Sequence, residues 1–376
     1  MRFSPRMQAV AESQTTRLMP VLERLRRQGR DIVSLAVGEP EYPTPAEIVT
    51  ATCRAAQEGH TRYGPVAGLP RLRERLAQDF PGWGPENIVV SNGAKQCLFQ
   101  LFQILCGPGD EVLLPRPGWV SFAEQIRLAG ARPVFVDCPD HQINPDRMSA
   151  AVTAKTRVVL LNSPNNPTGA VYAPSRIAAV ADLCRTHDLV LISDEAYEGF
   201  VFDGNECVSA FAFPHIRSRL AVVRSFSKRF CMTGFRVGYA AASEALIREM
   251  VKLQSHATGN VCTFAQHGAL AALSLTEDPA AAWREDLQRK RDLVFSRLSP
   301  IYPCRRPQGA FYFFLDVSSR LQEGETAADF AARLLDAAAV AVVPGDAFGV
   351  RDHIRVSYAV AEDRLVEALD RMEAFS

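Results

Sequence analysis

The chain has 376 residues, 47% hydrophobic and 22% charged, with Lys+Arg and Asp+Glu balanced at 42 each. That length calls for two or three domains, or one large α/β domain with an appendage, and it supplies ample apolar surface for a core. Zero net charge argues against nucleic acid or an anionic membrane as the main partner.

Nine cysteines without a C-x-x-C pair, and no His-rich tract, argue against a metal site and read as reduced core thiols. The opening Met1-Arg2-Phe3-Ser4-Pro5-Arg6 precedes no apolar stretch of signal-peptide length, and no run approaches a membrane span. The expectation is a soluble, cytoplasmic protein.

In chain order, a basic helix is expected near residues 21–28, within an N-terminal segment (1–44) that packs with the C-terminal part. Apolar, β-rich runs then alternate with helical patterns. Strands are expected at 88–90, 111–114, 133–136, 158–161, 189–192 and 220–223, with an apolar helix at 94–105. The alternation implies α/β architecture: a mostly parallel central sheet covered by helices on both faces, over residues 45–280. A long helix at 280–298 leaves that sheet. Residues 281–376 have another rhythm: strands at 311–315, 340–343 and 353–356, and helices at 327–338 and 361–372. They read as a smaller α+β domain.

Only five of the 42 basic residues are lysine; 37 are arginine. Such a bias uses arginine wherever a bare positive charge suffices. It cannot do so where an amine must lose its proton and attack a carbonyl. Lys228, in Ser225-Phe226-Ser227-Lys228 after a strand, is therefore a Schiff-base candidate. Three further segments follow strands. Ser91-Asn92-Gly93-Ala94-Lys95-Gln96 turns into a helix whose free N–H groups suit phosphate. Ser193-Asp194-Glu195-Ala196-Tyr197 puts two carboxylates and a phenol at the carboxyl end of a strand, where ligands of open α/β sheets bind. Asn162-Ser163-Pro164-Asn165-Asn166-Pro167-Thr168-Gly169 is a rigid turn presenting an amide. Each alone is explained by a turn, a helix cap or a surface lysine.

Together, and in this order, they resemble the fold-type I pyridoxal-5′-phosphate aminotransferases of class I/II, most closely the bacterial aspartate aminotransferase subgroup. The resemblance runs from Val37-Gly38-Glu39-Pro40 to His353-Ile354-Arg355-Val356-Ser357. It implies that Lys228 carries the cofactor as a Schiff base, that Asp194 pairs with the pyridine nitrogen, and that Tyr197 and Asn166 contact the phenolic oxygen. Trp119 would stack on the ring. Gly93, Ala94 and Lys95 amides, Ser225 and Arg236 would hold the phosphate, and Tyr63 would reach the phosphate of the neighbouring subunit in a homodimer. Arg355 would grip the substrate's α-carboxylate and Gly38 would contribute a backbone contact near the substrate, with Lys95, Ser13 and Thr15 near its side chain.

The implied reaction is ping-pong transfer of an amino group from an L-amino acid to a 2-oxo acid, aspartate and 2-oxoglutarate first. Gly118, where relatives often carry a bulky aromatic, together with Gln14 and Thr16, would enlarge or re-polarise the side-chain pocket. An aromatic or larger polar donor is therefore the alternative, followed by a lyase or synthase on the same fold. A dinucleotide enzyme would need a G-x-G-x-x-G turn after the first strand, and none is present there. A ligand-sensing regulator on this fold would need a DNA-binding domain, and the roughly 30 residues before Asp31 are too few for one.

Overall fold

The structure, a computed structural model, describes residues 4–12 and 14–375. Twelve strands are formed among them: β1 (Val33–Ser34), β2 (Ile88–Ser91), β3 (Glu111–Arg116), β4 (Arg132–Asp137), β5 (Thr156–Asn162), β6 (Val190–Asp194), β7 (Leu220–Ser225), β8 (Gly238–Ala242), β9 (Tyr312–Asp316), β10 (Val340–Ala341), β11 (Val343–Pro344) and β12 (His353–Ser357). Seven make one sheet in the order β2-β8-β7-β6-β5-β3-β4. The run β7-β6-β5-β3-β4 is parallel, and β8 is antiparallel to both of its neighbours.

Apart from the partly exposed edge strand β4, the sheet is buried on both faces, which is why its inner strands read as unbroken apolar runs. Alternate residues of the same strands feed two separate cores, because successive side chains point to opposite faces. Leu113, Val159 and Leu191 join one, while Val112, Val158 and Ile192 join the other.

β8 was not foreseen. Its sequence, Gly238-Tyr239-Ala240-Ala241-Ala242, has little strand propensity, yet all five residues are buried. Small residues fit there because helices crowd both faces. The helices Ala46–Gln57, Pro70–Ala77 and Thr263–Ala272 also went unmarked in the sequence.

A three-stranded antiparallel sheet, β11-β12-β9, carries the C-terminal part. The single strand expected at 340–343 is two. β10 pairs in parallel with β1 from the N-terminal segment, and β11 pairs with β12. A third core unites Val33 and Leu35 of that segment with Leu287, Phe313, Val356 and Leu369. Asp31 fastens the segment to the C-terminal helix Glu362–Phe375 through Arg364 (2.7 Å) and Arg371 (2.9 Å). The N-terminal helix spans Gln14–Arg27, earlier and longer than the expected 21–28.

Candidate active site

The parallel strands β5, β6 and β7 end side by side at Asn162, Asp194 and Ser225, and a cavity of about 360 Å³ opens beyond them. Its lining includes Gly38, Ala94, Lys95, Trp119, Asn166, Asp194, Tyr197, Ser225, Lys228, Arg236 and Arg355, residues that lie far apart in the chain. It also includes Tyr312, Asn162, Ser227 and, from the N-terminal helix, Leu18 and Met19, none of which the sequence had singled out.

Lys228 sits on the short helix Phe226–Arg229 that follows β7. Its amine donates to the Gly38 carbonyl at 2.5 Å. Burial pulls its pKa from 10.5 down to about 8, with Glu39 opposing and Arg355 and Arg236 reinforcing the fall.

Asp194 ends β6 and is buried, 4% exposed. Its carboxylate accepts one hydrogen bond, from the Ala196 amide at 3.1 Å. Burial therefore pushes its pKa up to about 7. The next residue behaves differently, because successive strand residues face opposite ways. Glu195 accepts from Ser193 (3.0 Å), Ser209 (2.7 Å) and Arg224 (3.0 Å), so it is a structural anion. Of the two carboxylates in the motif, only Asp194 lines the cavity without a cationic partner among the described residues.

Arg355 is the converse case: a cation, 3% exposed, held by neutral groups. It donates to Asn166 Oδ1 at 3.1 Å and to the Ala36 carbonyl at 2.7 Å, while its Nε has no partner. Burial lowers its pKa. Asn166, fixed by its own amide donating to Asn162 Oδ1 at 3.0 Å, also donates to the Tyr197 hydroxyl at 3.4 Å. Burial holds the Tyr197 phenol protonated.

The phosphate candidates meet where β2 turns into the helix Ala94–Leu105. Gly93 caps that helix with φ +78°. A Cβ there would lie 2.6 Å from the Arg236 guanidinium, so the glycine admits the arginine. Arg236 is itself left-handed (φ 56°), and its guanidinium donates to the Thr233 carbonyl at 2.8 Å. The Gly93 amide already donates to Ser91 at 2.7 Å. The first-turn amides of Ala94 and Lys95 are left without partners inside the helix.

Trp119 is half-buried, and the Lys95 ammonium lies 5.0 Å from its ring centroid. Crowding by protein, and then Arg236, lower the Lys95 pKa although the side chain reaches solvent at the rim. Tyr63 is 99% exposed and does not line the cavity of its own chain. Ser13 lies outside the described residues, as does the side chain of Thr15 on the N-terminal helix.

These residues fit pyridoxal 5′-phosphate. An uncompensated buried carboxylate suits a protonated ring nitrogen, and a desolvated amine suits an aldehyde. A glycine-lined helix N-terminus beside an arginine suits a phosphate, and the indole offers a face for the ring. Arg355 is then left over, with an unpartnered N–H for a substrate anion. Among the described residues no helix is long and apolar enough to cross a membrane, and no cluster of His, Cys, Asp or Glu could hold a metal ion.

Comparison with known proteins agrees with this geometry. The family Aminotransferase class I and II matches residues 30–372. The chain is 36% identical to an aspartate aminotransferase of Geobacillus stearothermophilus, over 100% of this chain and 99% of that one. It is 40% identical to an aspartate/prephenate aminotransferase of Thermus thermophilus, over 98% and 97% of the two chains. The structure of the Thermus thermophilus aspartate aminotransferase with maleate superposes with a TM-score of 0.95 at 39% identity, covering 100% of both chains. The chain belongs to the class I and II aminotransferases, and it is a pyridoxal-5′-phosphate-dependent transaminase of fold type I.

Proposed function

We propose that the protein moves the amino group of aspartate to a 2-oxo acid such as 2-oxoglutarate, using the side chains gathered around Lys228. One observation carries this reading: a single cavity holds a buried carboxylate without a cation, a buried guanidinium without an anion, and a desolvated amine. The cofactor, when bound, supplies an aldehyde and a ring that absorbs the electron pair left by a departing α-proton.

Lys228 would hold the cofactor by its aldehyde. Burial already lowers its pKa to about 8 in the cofactor-free protein, which brings the amine towards the range useful for proton transfer near neutral pH. Lys228 would be the group that moves the substrate's α-proton. Asp194 would keep the ring nitrogen protonated, a task that would stabilise its own charge. Tyr197 and Asn166 would meet the phenolic oxygen, and Trp119 would stack on the ring. Ala94, Lys95, Ser225 and Arg236 would hold the phosphate, beside Gly93. Arg355 grips the α-carboxylate with its free Nε–H and a neighbouring N–H, since two parallel charge-assisted bonds fix orientation. Gly38 would add a backbone contact near the substrate.

Lys95, with Ser13 and Thr15, reads the distal carboxylate. The relatives named for aspartate support this choice. A larger donor is the second reading, and a specific feature favours it. An adjoining cavity of about 440 Å³, lined by Ala11, Phe99, Val120 and Leu128, shares Lys95 and Arg236 with the first.

The same proposal includes a cytoplasmic homodimer in which Tyr63 completes the partner's phosphate site. A fully exposed tyrosine and nine free thiols support it. It also includes the division at residues 44 and 280, supported by the separate core under the three-stranded sheet.

The test is to mix the cofactor-loaded protein with single amino acids and follow the absorbance of the bound cofactor. Rapid bleaching by aspartate or glutamate is expected. Bleaching only by aromatic or other donors would discard the substrate, and none with any donor would overturn the residue roles.

A further inference from the structure

Tyr312 touches three of the groups assigned above. It is fully buried on β9, facing Ser357 across the pair with β12 and thus two residues from the position of Arg355. Its ring lies against the Arg355 guanidinium, 4.4 Å from ring centroid to the guanidinium carbon. Its hydroxyl is 2.9 Å from the Tyr197 hydroxyl. A Cβ on Gly38 would come within 2.8 Å of that same hydroxyl, so Tyr312 fills the space that makes residue 38 a glycine.

We propose that Tyr312 is a positioning residue, which aims the Tyr197 proton into the cavity and holds the Arg355 plane ready for a carboxylate. The proposal rests on the roles given above to Lys228, Tyr197 and Arg355.

A phenol has one proton to donate and two lone pairs to accept with. Asn166 donates to the Tyr197 oxygen at 3.4 Å, and Tyr312 is its other neighbour. With Tyr312 donating, both lone pairs of Tyr197 are filled and its own proton must find an acceptor in the cavity. The opposite sense leaves the Tyr312 proton buried without an acceptor among the described residues, a costly arrangement.

Arg355 gains something different from the same residue. A carboxylate beside it would orient the guanidinium and also neutralise it. The π faces of Tyr312 and of Phe348 (5.3 Å) orient it and leave its charge for the substrate.

Two variants separate these effects. Tyr312→Phe removes the hydroxyl and keeps the ring; Tyr312→Leu removes both. The readouts are the pH midpoint of the bound cofactor's absorbance, and the dissociation constant of succinate, an unreactive dicarboxylate. A hydrogen bond donated to the phenolic oxygen lowers that oxygen's basicity, so the proton shared with the Lys228 nitrogen leaves more easily. Weakening the bond in Tyr312→Phe should raise the midpoint by about half a pH unit. Glu39, Arg355, Arg236 and Cys231, which surround Lys228, are untouched in both variants.

Tyr312→Leu should in addition weaken succinate binding on the order of tenfold, and Tyr312→Phe by less than about threefold. A Tyr312→Phe protein titrating at the parental midpoint would overturn the relay. If that variant holds no cofactor, succinate binding to Tyr312→Leu decides, and a parental constant there overturns the proposal. A Lys228→Ala protein whose bound cofactor keeps the parental pH midpoint would instead refute the site reading beneath it.

Discussion

At the scale of single residues, the site is built from groups left deliberately incomplete by the fold. Lys228 shows this most simply. Its partner is a backbone carbonyl, so burial weakens its hold on the proton. Arginine cannot replace it, because a guanidinium stays protonated. Lys228→Arg is therefore expected to lose kcat by more than about 10⁴-fold, as Lys228→Ala does, although the charge is retained. Measurable turnover of the purified arginine variant would refute the assignment.

Asp194 makes a second prediction, about stability in the cofactor-free protein. Its native pKa of about 7 lies above the ordinary 3.8, so the folded state binds the proton more tightly than the unfolded chain. Its contribution is fully present below pH 4 and is lost as pH rises through 7, a change of a few kcal/mol. Asp194→Asn should flatten the decline in melting temperature between pH 4 and 7. Equal slopes for the two proteins would show that the carboxyl is not desolvated.

The scarcity of lysine was a usable signal and an incomplete one. Lys228 and Lys95 line the cavity, but Lys290 is buried against Glu41 and Asp286, and Lys155 and Lys252 are on the surface. Lys290 also lies 5.7 Å from the Tyr42 ring, in a polar cluster tying the N-terminal segment to the helix Ala280–Leu298. Composition marks lysine as special without saying which kind of special.

At the scale of elements, β8 decides the shape of the proposed phosphate site. Gly238 faces Ser91 of β2 on one side and Ser225 of β7 on the other, the residues that end those two strands. A Cβ at Gly238 would lie 2.4 Å from the Ala94 nitrogen and 2.6 Å from the Gly93 carbonyl carbon. Both are backbone, so neither can swing away. Gly238→Ala should cost about 1–3 kcal/mol of stability. It should also push the helix N-terminus outward, so that the cofactor dialyses away faster than from the parent. Parental retention with only a lowered melting temperature would mean that the helix start is not the phosphate seat.

The sequence hid this strand because small residues carry no β signal; what selects them is the closeness of the helix that crosses it. It hid the split of 340–343 for a related reason. Four apolar residues in a row look like one strand, yet two different partners, β1 and β12, take its halves. Pairing is a property of the partner strand: β1 lies about three hundred residues before β10, whereas β12 follows β11 closely in the chain.

At the scale of the whole molecule, one residue fits no role within its own chain. Tyr63 is 99% exposed, which is an unusual fate for a tyrosine. If a second copy receives it, sedimentation equilibrium should give twice the 41.3 kDa of the chain. Mixing Tyr63→Phe protein with Lys228→Ala protein should then restore part of the activity that each lacks, since a hybrid dimer contains one intact site. A monomeric mass, or no recovery on mixing under exchange conditions, would remove Tyr63 from the site.

The sequence by itself determined the chemistry and the class of fold. Strand-end motifs carry their own local geometry, so Gly93, Asn166, Asp194 and Lys228 could be recognised as turn, amide, carboxylate and amine wherever the chain took them. Alternating apolar runs fixed a parallel sheet, because only strands buried on both faces are apolar throughout. Tertiary structure decided what each group could do. It left Asp194 unpaired while giving Glu195 an arginine, and it set Arg355 on the ring of Tyr312 with no anion. Those outcomes depend on burial and on neighbours from β9, β12 and the N-terminal segment. Desolvation belongs to the assembled core, and no stretch of sequence contains it.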